Sequence, residues 1–67
     1  MTTNRFTERL ARNMLAGEGA RVIWRLHLDA ATLYRAGNPA AAAAFLEIAD
    51  AAERVWRRSA IQVEAPP

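Results

Sequence analysis

Few side chains in this sequence could do covalent or metal chemistry. There is one His (His27), one Ser (Ser59), no Cys, and seven carboxylates. Nucleophilic catalysis needs a nucleophile, a base and a group that orients the base. His27 and Ser59 fall on two helices that should run antiparallel through a reversal near residues 37–39. That reversal sets residue 27 opposite residues near 49–50, well short of Ser59. The carboxylates Glu47, Asp50 and Glu53 lie roughly along one helical face. Asp50 and Arg54, like Glu53 and Arg57, are spaced i,i+4, which reads more simply as solvated ion pairs than as an acid–base pair. Structural zinc sites draw on Cys or on several His. The reading is therefore a non-catalytic chain with no metal and no cofactor. His27 is expected at a boundary or on the surface; opposite Asp50 or Glu53 it would suit a contact whose charge changes near neutral pH.

The remaining chemistry is that of binding. Arg5, Arg9, Arg12, Arg21 and Arg25 form a candidate phosphate-contacting set, the first three on one face of a helix. The chain has no Lys and no Gly-Lys loop. No helix repeats Arg, Asn or Gln as base readers would. Trp24, Leu28, Leu46 and Trp56 form the candidate partner interface. Trp24 stands off the main apolar stripe beside Arg21 and Arg25, and Trp56 precedes Arg57 and Arg58. Tryptophan and arginine are the residues most enriched at the centres of protein interfaces.

Three helices must position these residues. A first helix is expected over about 5–16, capped by Asn4, with Phe6, Leu10 and Met14 or Ala11 recurring every three to four residues. Gly17-Glu18-Gly19 predicts a turn or kink, because two glycines in three residues cost about 2 kcal/mol of helix propensity against alanine. An unbroken helix from 5 to 36 is the alternative. A second helix over about 20–36 carries one apolar line, Val22, Ile23, Leu26, Ala30 and Leu33, and a flanking line of Trp24, Leu28 and Ala31. Arg25 and Asp29 are spaced for an ion pair on its polar face.

Gly37-Asn38-Pro39 is the most specific local signal: a left-handed helix end, an N-cap, and a first helical position that needs no N–H. It predicts a tight antiparallel reversal. The third helix is expected over about 39–58, with Ala41, Phe45, Ile48, Ala52, Val55 and Ser59 on its buried line and the slim Ala40–Ala44 run allowing close approach. Residues 1–4 read as a flexible N-terminus and 59–67 as an extended C-terminal tail, with Ile61–Glu64 alternating in strand fashion.

The fold class is therefore all-α: an antiparallel helical hairpin plus a short N-terminal helix in one domain over 5–58. At 67 residues a monomer buries only about 60% of its unfolded surface. Without disulfides or a metal, oligomerisation is the remaining source of stability. The second helix has a wider apolar surface than one neighbour can cover, so assembly into a bundle, most simply a homodimer, is expected.

All nine basic residues are Arg. Residues 1–36 carry six Arg against three carboxylates (+3) and residues 37–67 three against four (−1). This dipole is too mild to identify a nucleic-acid partner. No window is long and apolar enough for an integral membrane segment, and no secretory signal is expected, so a cytoplasmic location is the default. The functional expectation is a protein–protein interaction module acting as a small subunit, adaptor or regulator, with an unidentified protein partner. The alternative is a small nucleic-acid-associated regulator using the N-terminal Arg face.

Overall fold

The computed structural model describes the backbone of residues 5–64 and the side chains of residues 5–59. Asn4, the expected cap of the first helix, and residues 65–67 lie outside that range. The chain forms three helices: α1 (Arg5–Glu18), α2 (Arg21–Arg35) and α3 (Pro39–Glu64). α2 and α3 form the main packed pair, an antiparallel hairpin; α1, the shortest of the three, packs chiefly on α3 and only lightly on α2. Among the described residues no helix is long and apolar enough to cross a membrane.

Both breaks follow from glycine. Gly19 has φ +76° and its N–H donates to the Leu15 carbonyl at 2.7 Å, so α1 ends there and the unbroken alternative is ruled out. Gly17 stays helical, which carries α1 two residues past the expected end. α2 then starts without a side-chain cap; the Val22 N–H finds the Gly19 carbonyl at 3.1 Å instead.

At the second break Gly37 takes φ +85°. The N–H of Gly37 donates to Tyr34 O at 3.1 Å and that of Asn38 to Leu33 O at 2.9 Å, a paired closure that satisfies the last carbonyls of α2. Asn38 then opens α3: its Oδ1 accepts the Ala41 N–H at 3.3 Å and its backbone carbonyl accepts the Ala42 N–H at 3.1 Å. Pro39 follows at the first helical position.

The extended tail expected from residue 59 is corrected over residues 59–64, which continue α3. No Gly or Pro interrupts that stretch, and a two-residue alternation over four residues is too short to outweigh a helix already propagating.

The core is built mainly from alanine. Among the described residues nine hydrophobic side chains are buried, and six are alanine: Ala11, Ala30, Ala42, Ala49, Ala51 and Ala52. Val22, Leu26 and Val55 complete the set. One cluster joins Ala11 of α1 to Ala51 and Ala52 of α3; another joins Val22 and Leu26 of α2 to Ala49. α3 thus serves two partners, and its apolar arc is wider than the expected line. Phe45 and Ile48 are half-buried, packed at the margin of the Val22/Leu26/Ala49 cluster, and Ser59 is exposed. On α1 the buried centre is Ala11, flanked by Leu15 and Met14, while Phe6 is exposed. Small residues sit at these centres because they let helix axes approach closely; larger side chains are displaced to the edges.

Candidate functional site

The hairpin leaves a groove along the side of the α2–α3 pair. Ala20, Ile23, Trp24 and His27 line it from the α2 side, and Glu53, Trp56 and Arg57 from α3. Its volume is about 400 Å³. Helical spacing explains the lining: residues 20, 24 and 27 recur every three to four positions beside the buried Val22/Leu26/Ala30 line, and residues 53, 56 and 57 follow one another on the adjoining arc of α3.

Two of the four expected interface residues, Trp24 and Trp56, meet at this groove although 32 positions apart in sequence. Trp24 is 69% exposed and Trp56 46%. Leu28 stands one turn beyond Trp24 on the outer line of α2, and Leu46 lies nearly two turns before Glu53 on α3; both are exposed, as is Tyr34. Of the aromatic side chains, Phe45 is half-buried and the rest are exposed, while the fully buried positions are mostly alanine.

Arg57 donates to Glu53 at 2.9 Å on the groove wall, and Arg54 pairs with Asp50 one turn earlier. Both i,i+4 pairs expected from the sequence are present, so the rim is neutralised within the chain. His27 is exposed and lines the same groove as Glu53, about one turn past the level of residues 49–50. His27 shares the groove with Glu53, one of the two carboxylates expected opposite it, while Ala20, Ile23 and Arg57 join the lining without having been expected at the interface. The signal that could have found them is the shared arc with Trp24 and Trp56 on the two helical wheels.

No family model matches this sequence, and no match to it was found among curated proteins or solved structures.

The candidate phosphate-contacting arginines do not form one undivided patch. Arg12 is paired with Glu8 at 3.3 Å, and Glu8 also lies 3.9 Å from Arg58, which links α1 to α3. Arg25 pairs with Glu18 at 2.9 Å across the α1–α2 turn, in place of the expected Asp29. The turn at Gly19 and Ala20 brings Glu18 back toward α2, a contact that spacing along one helix could not reveal. Arg5, Arg9 and Arg21 are exposed, and among the described residues they form no ion pair.

Proposed function

We propose that this chain is a non-catalytic helical interaction module, a small subunit, adaptor or regulator that docks through the α2–α3 groove, in the cytoplasm. The observation that carries the reading is the convergence of Trp24 and Trp56 on one groove. A cleft between two amphipathic helices, with aromatic lips and a neutralised rim, is suited to receive an apolar helix face. Burying the 69% of Trp24 that is exposed against a partner removes about 100–170 Å² of mostly apolar surface, about 3–4 kcal/mol before the costs of association are met. A homo-oligomeric state, most simply a dimer, belongs to the same reading, because exposed apolar patches beyond a few hundred Å² are rare on soluble monomers.

The nucleic-acid alternative draws less support. Two of its five arginines are engaged by carboxylates of the chain itself, so a phosphate would have to displace an existing partner.

Site-specific photo-crosslinking in cells tests the docking reading. A crosslinker at Trp24 or Trp56 should yield discrete protein adducts, whereas one at Arg9 on α1 should not. Absence of adducts at both groove positions would sink it. Titration of duplex DNA at two salt concentrations tests the alternative, since phosphate contacts impose a steep salt dependence.

A further inference from the structure

We propose that the occupant of the groove is a second copy of this chain, packed hairpin against hairpin about a two-fold axis that passes beside His27. The inference rests on the docking reading above and adds the partner and its register.

Size is the first argument. The uncovered parts of Trp24, Leu28, Tyr34, Leu46 and Trp56 come to about 400–600 Å², taking 150–250 Å² for a whole aromatic side chain. A standard specific interface needs roughly 800 Å² per partner, and the intervening alanine and polar surface supplies the difference. The core, meanwhile, rests largely on alanine. A chain of this size needs apolar burial that its own interior does not provide.

Charge is the second. In a two-fold interface the same patch meets itself, so a patch of one sign would repel its copy. Here the carboxylates of Glu53 and Asp50 are each neutralised by an arginine of the same helix. A charge-neutral seam tolerates self-association and gives a strongly charged partner nothing to recognise.

Register is the third. The groove lining sets Ile23, Trp24 and His27 level with Glu53 and Trp56. An axis beside His27 makes α2 antiparallel to its copy and brings Trp24 to the exposed, small Ala31 of the other chain. The same axis makes α3 antiparallel to its copy and, with His27 level with Glu53, brings Trp56 near Asp50 of the other chain. Trp24 thus meets alanine, and all neighbouring helices in the four-helix core are antiparallel.

The chain contains no Cys, so single-cysteine variants report the seam directly. His27→Cys lies beside the axis and should form a disulfide with its own copy under mild oxidation, whereas Arg9→Cys on α1 should remain mostly monomeric. Sedimentation equilibrium of the unmodified chain should give twice the 7.4 kDa protomer mass. Ala31 is exposed on α2, so Ala31→Glu leaves the protomer's own packing in place; it should weaken the dimer about tenfold or more, with helical circular dichroism retained above the dissociation range. A monomer at all concentrations up to about 100 µM would overturn the second copy, as would a dimer that crosslinks through Arg9→Cys and not through His27→Cys. If that monomer still gave adducts to other proteins through position 24 in cells, the second copy would fall while the docking reading stood.

Discussion

The backbone N–H of Asn38 donates to the Leu33 carbonyl at 2.9 Å, so the residue that closes α2 is also the one whose side chain opens α3. One residue thus satisfies groups on both helices of the hairpin, and no loop is needed between them. Replacing Asn38 with Ala removes the acceptor for the Ala41 N–H and should cost about 1 kcal/mol, read as a shift in the urea midpoint. Asn38→Asp keeps an acceptor at that position and should recover most of the loss.

Two glycines separated by one residue should respond oppositely to the same substitution. Gly17 is helical with open space where a Cβ would stand, so Gly17→Ala should stabilise by about 0.5–1 kcal/mol. Gly19 has equal space but φ +76°, and Gly19→Ala should destabilise by about 1 kcal/mol or more through backbone strain. Thermal melts of the two variants side by side check the sign of each. A stabilised Gly19→Ala would mean that α1 and α2 join into one helix.

The contrast between the centre and the margin of the Val22/Leu26/Ala49 cluster can be measured in the same way. Leu26 is 1% exposed against Val22 and Ala49, and Leu26→Ala should cost about 3 kcal/mol. Phe45 is only half-buried at the margin of that cluster. Phe45→Ala should therefore cost about 2 kcal/mol, less than Leu26→Ala despite the larger side chain.

Overpacking provides a test of the alanine core. Ala49 is fully buried between Val22 and Leu26. Ala49→Leu should destabilise by about 1–3 kcal/mol although it adds apolar area. The same change at the exposed Ala43 should leave protomer stability within about 0.5 kcal/mol. A neutral Ala49→Leu would show that the helices are not in close approach there.

The groove ion pair should contribute little. Arg57 and Glu53 lie 2.9 Å apart but are largely solvated, and exposed i,i+4 pairs are worth about 0.3–0.5 kcal/mol. A double-mutant cycle with Glu53→Gln and Arg57→Ala should return a coupling energy in that range, falling in high salt.

Local chemistry in the sequence determined the class of fold, the hairpin reversal, and the ion pairs that lie within one helix. Each depends on residues no more than a few positions apart: Gly37, Asn38 and Pro39 for the turn, and i,i+4 spacing for Asp50–Arg54 and Glu53–Arg57. Helical periodicity also marked Val22 and Leu26 as interior. What periodicity could not decide was how wide an arc of α3 is covered, because that depends on how many helices pack against it. With α1 and α2 both seated on α3, the expected line stayed buried at Ala52 and Val55, while Phe45 and Ile48 shifted to the margin and the covered arc widened to Ala49 and Ala51, where small side chains permit close approach. Tertiary structure also replaced the Arg25–Asp29 pair with Arg25–Glu18, since the turn at Gly19 returns α1's last carboxylate to α2. The groove shared by Trp24 and Trp56 has the same origin. Each tryptophan was legible as an exposed anchor, but their meeting depends on the register of two antiparallel helices, which packing between distant residues sets.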